Sequence, residues 1–364
     1  MNEVNYKNSK LIVESGSLQP GTVSWQSPSN IAIVKYWGKH GVQLPRNPSF
    51  SFTLSEAHSR TSIRYEAKKT LSHEVSLQFL FHGQAQASFE EKIKKYFSSL
   101  LPYFPFIRQL HFTISSENSF PHSAGIASSA SGMSALALCL CSIEEKLFGT
   151  VKERPDFEKK ASYMARLGSG SACRSIFSQG AIWGQHMDVE EGSDLYAIPF
   201  NTALHELFQD VQDTILLISR SEKSVSSRAG HQLMENNIYA DNRYKQANQR
   251  LQQLLPALRT GDWDTFGAIT ESEAMTLHAL MMTSMPPYIL MEPNTLEAIN
   301  RIRSFRDHHK LPVYFTLDAG PNIHLLYPKN IKPQIDRFIN DSLKGLCSDG
   351  QFIHDHAGIG PVEF

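Results

Sequence analysis

Ser119-Phe120-Pro121-His122-Ser123-Ala124-Gly125-Ile126-Ala127-Ser128-Ser129-Ala130-Ser131-Gly132 is a run of small residues that passes straight into an Ala-, Leu- and Ser-rich segment. From Ser128 to Phe148, Met133, Leu136, Leu140 and Ile143 recur at helical spacing, and Gly149 follows as a stop. A helix N-terminus presents free N–H groups and a partial positive charge, which together bind phosphate. Small side chains let the backbone come close, and the serine hydroxyls add donors. The run reads equally as a helix cap with tight Ala/Ser packing. It is not a Walker A loop, because G-x-x-x-x-G-K-[ST] occurs nowhere in the chain.

On either side of this helix the periodicity is mixed. Residues 1–22 are polar and read as an arm or an edge strand. Ile31-Ala32-Ile33-Val34, Ser51-Phe52-Thr53-Leu54, Val75 to Phe81 and His111 to Ile114 are short β-rich runs, interrupted by an amphipathic helix from Phe89 to Leu101. A helix at Pro155 to Leu167 follows, then strands at Ala181–Trp183 and Tyr196–Pro199. After Asn201 the rhythm restarts, with a buried strand at Thr214–Ser219 and helices at Tyr239–Leu258, Trp263–Met282 and Thr295–His309. Val313–Leu317 and His324–Tyr327 read as a hairpin around Ala319-Gly320-Pro321-Asn322, and a last helix covers Lys332–Leu343. Strands and helices do not alternate regularly, which points to an α+β fold and not to a doubly wound sheet.

The chain's 364 residues favour two domains at the usual ~100–200 residues each. Lys plus Arg total 35 against 36 for Asp plus Glu, a net charge of -1, which argues against a nucleic-acid partner. No run of about 18 apolar residues occurs, so no membrane span is expected, and the first residues lack the basic head and apolar stretch of a secretory signal. The 4 cysteines, Cys139, Cys141, Cys173 and Cys347, form no CxxC pair and read as reduced thiols of a cytoplasmic protein. The 15 histidines offer no H-E-x-x-H spacing; His354-Asp355-His356 and His308-His309 are read as solvated or structural, and no protein metal site is expected.

Four further segments carry chemistry. Gly168-Ser169-Gly170-Ser171-Ala172-Cys173-Arg174 lacks the third glycine of a dinucleotide fingerprint and follows a helix, so it reads as a flexible donor-rich loop ending in a guanidinium. Its alternative is a loop with a surface Arg. Lys35-Tyr36-Trp37-Gly38-Lys39 sets two cations around two aromatics, either an anion clamp or a surface strand end. Asp318 ends an apolar strand at a Gly-Pro turn, placed to cap the turn or to act as a base. Ser224-Val225-Ser226-Ser227-Arg228 fits an anion site or a helix N-cap.

Taken together, these segments resemble the mevalonate diphosphate decarboxylases of the GHMP kinase superfamily. Ser27-Pro28-Ser29-Asn30-Ile31-Ala32 through Lys39 looks like that family's opening motif, and Ser116-Glu117-Asn118 through Gly132 like its phosphate loop. Ser169-Gly170-Ser171-Ala172-Cys173-Arg174-Ser175, Val225-Ser226-Ser227 and Asp318-Ala319-Gly320-Pro321-Asn322 complete the set in order. Two departures stand out. His122-Ser123 replaces the common Thr-Ala, and Leu44-Pro45-Arg46-Asn47-Pro48-Ser49 is a shorter, more basic loop.

The resemblance implies a GHMP kinase fold with a ribosomal protein S5 domain 2-like N-terminal domain, a ferredoxin-like C-terminal domain and the active site in the cleft between them. The expected division is an arm at 1–24, an ATP- and phosphate-binding domain at 25–205 and a C-terminal domain at 206–364. It further implies ATP as co-substrate, Mg²⁺, a homodimer, and conversion of mevalonate 5-diphosphate to isopentenyl diphosphate with release of ADP, phosphate and CO₂. A decarboxylase of mevalonate phosphate, a mevalonate 3-kinase and a catalytically silent ligand-binding relative are the other readings. By the resemblance, Ser123, Gly125, Ser128 and Ser129 take the ATP phosphates. Arg174, with Ser169 and Ser171, takes the substrate carboxylate. Tyr36, Lys39, Ser227 and Arg228 take the diphosphate. Asp318 orients or deprotonates the 3-hydroxyl, with Lys35 offsetting charge beside it.

Overall fold

The computed structural model describes residues 5–364 apart from 15, 17, 70, 71, 73, 122–125 and 222–224. The first strand, β1 (Gly21–Val34), buries alternate residues over its first half and nearly every residue over its second. It pairs antiparallel with β2 (Ser49–Ala67), a 19-residue strand, and the register shifts between Pro28 and Asn30. Beyond β2 lie β3 (Ser76–Phe81) and, after helix α1 (Ala87–Ser99), β4 (Leu110–Asn118); β4 runs antiparallel to β2 and parallel to β3. Helices α2 (Ser128–Phe148) and α3 (Arg154–Gly168) cover this sheet, and the short strands β5 (Gly180–Trp183) and β6 (Ala197–Pro199) extend it from the start of β2.

The second sheet starts with β7 (Val211–Leu216). Four helices follow, α4 (Ser227–Leu233), α5 (Ala240–Thr260), α6 (Trp263–Met282) and α7 (Pro293–His309), then β8 (Tyr314–Leu317), β9 (Ile323–Pro328), α8 (Lys332–Phe338) and β10 (Phe352–His356). The strands lie in the order β8-β9-β7-β10, every pair antiparallel. This is the βαββαβ arrangement expected of a ferredoxin-like half.

Small residues let α2 lie close on the first sheet. Trp25 Nε1–H donates to Ser142 Oγ at 2.9 Å, the Ser27 and Ser134 hydroxyls meet at 2.5 Å, and those of Ser59 and Ser131 at 2.7 Å. The buried serines are thus hydrogen-bonded to each other across the sheet–helix contact, which removes the cost of burying them. One apolar core, with Phe97, Phe104, Phe106 and Phe112 fully buried, fills the far side of this half. A second core joins the two sheets. Phe50 and Phe52 of β2 pack there with Phe208, Trp263 and Phe266, and the Phe208 and Trp263 rings stack at 4.8 Å.

Several elements differ from the sequence reading. β1, β2 and β4 are much longer than the runs that marked them: polar residues of β1 and β2 are buried through the serine pairs above, and β4 is carried on past Ile114 by pairing with β2 as far as Asn118. β10 was not expected at all. Its Asp355 accepts from the backbone N–H of Ser55, Glu56 and Ala57 at 2.7–2.9 Å, which holds the bend in β2 against the second sheet. The His354-Asp355-His356 cluster is therefore structural, as read. The polar N-terminal segment is tied down: Val13 exchanges two 2.8 Å hydrogen bonds with the Gln109 amide, and Leu11 is buried. All four cysteines are buried and free. Among the described residues no helix is long and apolar enough to cross a membrane.

Packing of α6 on β8 needs a glycine at 267. A Cβ there would lie 2.1 Å from the Tyr314 ring, and that ring is pinned because its hydroxyl donates to Asp264 at 2.7 Å. Gly267→Ala should destabilise the fold by about 1–3 kcal/mol or more, lowering the thermal midpoint by several degrees. An unchanged midpoint would contradict this packing.

Candidate active site

A cleft of about 710 Å³ opens between the two halves. Its lining contains Lys35, Tyr36, Lys39, Ser128, Ser129, Ser169, Ser171, Arg174, Ser227, Arg228 and Asp318. Every site residue expected from sequence that the structure describes is therefore in one place. Ser123 and Gly125 lie outside the described residues.

Arg174 is the deepest cation. It is 2 % exposed, which removes the alternative of a surface Arg, and the expectation of a flexible loop is corrected: Gly170–Ile176 is a largely buried stretch of 3₁₀ helix. Its Nε donates to Ser51 Oγ at 2.9 Å, one terminal nitrogen to Ser49 Oγ at 2.7 Å and the other to Asn30 Oδ1 at 3.3 Å. These partners are neutral. A guanidinium has five N–H donors, so one on each terminal nitrogen remains for a planar, two-oxygen acceptor.

Lys35 is likewise buried, not at a surface strand end. Its ammonium donates to the Ala32 carbonyl at 2.6 Å. Burial pulls its pKa down to about 8, opposed by the charges of Asp318 and Glu273. Its backbone is clamped from the other half of the molecule. The Lys35 N–H donates to Glu273 Oε2 at 2.7 Å, and its carbonyl accepts from Arg243 at 3.1 Å and from Asn47 at 3.0 Å. Glu273 in turn binds Arg243 and Arg250, each at 2.6 Å.

Asp318 leaves the end of β8 into a turn closed by Gly320 N–H on the Asp318 carbonyl at 2.8 Å, and His278 Nε2 lies 3.1 Å from the same carbonyl. Its carboxylate acts electrostatically on Lys35, Arg174 and His231. Tyr36 lies over Gly170, and its hydroxyl is buried without a hydrogen-bond partner. Lys39 reaches Gln43 Oε1 at 3.1 Å, and burial, with Arg228 nearby, lowers its pKa. Ser226 is an N-cap, accepting from Ala229 N–H at 3.2 Å, while Ser227 and Arg228 beside it are exposed to the cleft. At the other end, α2 begins at Ser128 after Ala127, which sits in the left-handed region at φ 46 and supplies no side-chain cap. Among the described residues no side chain caps the first turn of this helix, where the Ala130 N–H donates to the Ala127 carbonyl at 2.7 Å, and the Ser129 and Ser169 hydroxyls meet at 3.3 Å.

A profile of the diphosphomevalonate decarboxylase-like N-terminal domain matches residues 27–197, and one of the mevalonate 5-diphosphate decarboxylase C-terminal domain matches 214–358. The chain belongs to the mevalonate diphosphate decarboxylases. It is 31% identical over 321 residues to the diphosphomevalonate decarboxylase of Ganoderma lucidum, covering 83% of this chain and 77% of that one. Against the Candida albicans diphosphomevalonate decarboxylase it is 30% identical, covering 84% of each. The crystal structure of the Staphylococcus aureus mevalonate diphosphate decarboxylase superposes with a TM-score of 0.80 at 27% identity, over 95% of this chain and 98% of that one. A structure of MDDEF in complex with MVAPP, AMPPCP and magnesium gives 0.78 at 29% identity, over 95% and 99%. The two-domain GHMP kinase fold expected from the sequence is the fold of the family.

The cleft also contains residues that sequence reasoning passed over. Lys92, Lys95, Tyr96 and Ser99 of α1 line it. Their spacing of three, one and three puts them on one helix face, a stripe overlooked because α1 was read only for its apolar side. Asn30 joins Arg174 to Ser171 and Ser175: its Oδ1 accepts from Arg174 and its Nδ2 donates to the Ser171 carbonyl at 3.1 Å and Ser175 Oγ at 2.7 Å. His231, one of the histidines read as solvated or structural, also faces the cleft.

Breaking the clamp on Lys35 should be costly. Glu273→Gln leaves two guanidiniums facing a neutral amide in a buried site, a loss of about 3–5 kcal/mol of stability. Chemical denaturation of the variant measures it; a change below about 1 kcal/mol would mean that the ionic cluster does not hold the halves together.

Proposed function

We propose that this chain decarboxylates mevalonate 5-diphosphate to isopentenyl diphosphate, with ATP converted to ADP and phosphate and with CO₂ released, as a step of isoprenoid synthesis. The observation that carries this reading is the convergence of Lys35, Arg174 and Asp318, from three distant segments, on one cleft rich in anion donors. Transfer of the ATP γ-phosphoryl group to the tertiary 3-hydroxyl turns a poor leaving group into a good one. Loss of that phosphate and of CO₂ then forms the double bond.

In this reading the two uncommitted N–H groups of Arg174 hold the substrate carboxylate, with Ser169 and Ser171 beside it. Tyr36, whose buried hydroxyl lacks a partner, and Lys39, Ser227 and Arg228 take the diphosphate. The uncapped start of α2, with Ser128 and Ser129, takes the ATP phosphates, together with Ser123 and Gly125. Lys92 and Lys95 add charge on that side. Asp318 orients the 3-hydroxyl and accepts its proton as the phosphoryl bond forms. A carboxylate of ordinary pKa is ~10 units too weak to remove that proton beforehand, so the two events are concerted. Lys35 balances the charge beside Asp318. Mg²⁺ would enter with the nucleotide, held chiefly by its phosphates, the usual manner for this ion. The boundary between the N-terminal, nucleotide-binding domain and the C-terminal domain is drawn near residue 205. We take the enzyme to be a cytoplasmic homodimer; its four buried free thiols agree with a reducing compartment.

The test is ATP-dependent CO₂ release on mevalonate, mevalonate phosphate and mevalonate diphosphate. The diphosphate should be preferred by about 10–100-fold, since a single phosphate leaves donors unpaired at about 1–3 kcal/mol each. A 3-kinase would make ADP without CO₂, a decarboxylase of mevalonate phosphate would prefer the monophosphate, and a silent binder would make neither product. Asp318→Asn should lower kcat by at least about 100-fold with substrate binding kept, the usual range for a positioned acid–base group being 10²–10⁴. A smaller loss would remove Asp318 from the chemistry.

The depressed pKa of Lys35 fixes a pH dependence. The ammonium is charged below about 8 and neutral above it, so kcat/KM for an anionic substrate should fall as pH rises through 8. A bound anion favours the charged form, so the corresponding limb in kcat lies at higher pH. Profiles from pH 6 to 10 decide this, and a flat kcat/KM through pH 9 would show that the Lys35 charge plays no part.

A further inference from the structure

We propose that His231 binds the phosphate end of the substrate directly, its Nε2–H serving as an uncharged donor in the cleft that Lys39 and Arg228 also line. This rests on the decarboxylase reading above and adds a residue to its recognition site.

His231 lies in the last turns of α4 and its ring is clamped on two sides. The Tyr36 ring is 4.3 Å away and the Trp37 ring 4.6 Å, centroid to centroid. The Gly38 N–H donates to its Nδ1 at 3.0 Å. That position requires glycine: Gly38 has φ 101, a conformation that other residues rarely adopt, and a Cβ there would lie 2.4 Å from the Tyr244 hydroxyl. A ring nitrogen that accepts carries no proton, so the neutral imidazole must carry its hydrogen on Nε2. Among the described residues Nε2 has no hydrogen-bond partner, it is not one of the fully enclosed atoms lacking one, and His231 lines the cleft, so the free donor belongs to the part of the ring that faces it. Stacking and the Gly38 bond together aim that donor before any ligand arrives.

The ring also stays neutral. Burial, then the Lys39 and Arg174 charges, pull its pKa down to about 3, against the opposing pull of Asp318. A third cation packed within reach of Lys39 and Arg174 would be repelled by both. A neutral donor supplies a hydrogen bond to phosphate oxygen without that repulsion. A histidine placed only to pack would have both nitrogens satisfied or its Nε2 sealed in the core, and neither holds here.

The experiment compares wild type, His231→Leu and His231→Gln in steady-state CO₂ release, with thermal midpoints measured alongside. Leu keeps an apolar side chain between the two rings and removes the donor; Gln restores an N–H near the Nε2 position. The proposal expects KM for mevalonate diphosphate to rise about 10-fold or more in His231→Leu, with kcat within about 3-fold, KM for ATP unchanged, and most of the loss recovered in His231→Gln. An unchanged KM in His231→Leu would overturn it. So would equal losses in both variants accompanied by falling midpoints and kcat, the signature of a residue that only packs Tyr36 and Trp37. Calorimetric binding of inorganic pyrophosphate separates this from the decarboxylase reading. Should wild type release no CO₂ from any substrate, weaker pyrophosphate binding by His231→Leu than by wild type and His231→Gln would still support the donor, and equal binding by all three would refute it.

Discussion

The cleft depends on one buried ionic knot. Glu273 of α6 is fully enclosed, and burial alone would push its carboxyl pKa up. The guanidiniums of Arg243 and Arg250 more than offset this and hold it below the usual range. The ionised carboxylate then takes the backbone N–H of Lys35, a residue 238 positions earlier in the chain. Buried ion pairs stabilise little against apolar replacements of the same shape, so what this knot contributes is position. It fixes where the end of β1 meets α5 and α6, and with it the direction of Lys35, Tyr36 and Trp37 into the cleft.

From that fixed point the electrostatics follow. Lys35 and Arg174 are stripped of water and both feel the carboxylate of Asp318, while Lys39, Arg228, Lys92 and Lys95 also line the cleft. A chain with a net charge of -1 thus concentrates positive charge in one concavity, where low dielectric strengthens its pull on anions. The protein's own groups compensate these charges poorly: Arg174 is held by hydroxyl and amide oxygens, and the Tyr36 hydroxyl has no hydrogen-bond partner among the described residues. Such groups favour a ligand that brings several anionic oxygens at once, which mevalonate diphosphate and ATP do.

Much of this was legible from sequence, and the exceptions have physical causes. Helices α2 and α6 matched at both ends because their limits are local: Gly149 takes the left-handed turn that stops α2, and the Asp262 side chain accepts from Thr265 N–H to start α6. The long strands were shortened in the reading because Ser27, Ser59 and Thr61 look like loop residues until α2 supplies partners for the two serines and Ser116 of β4 one for Thr61. A surface Arg stayed open for Arg174 because Ser49 and Ser51, which accept from it in the buried site, lie more than 120 residues away. The site residues were found through the resemblance, since no single segment separated an anion site from a capped turn. His231 and the α1 stripe were missed for the same reason: their meaning comes from the surface they face, which one-dimensional spacing does not state.

The most direct test of the account is a crystal structure of this chain with mevalonate diphosphate bound. The account predicts the substrate carboxylate on the two free N–H groups of Arg174, the 3-hydroxyl against Asp318 and the diphosphate between Lys39 and Arg228. A carboxylate turned away from Arg174, with that guanidinium still bonded only to Ser49, Ser51 and Asn30, would contradict it.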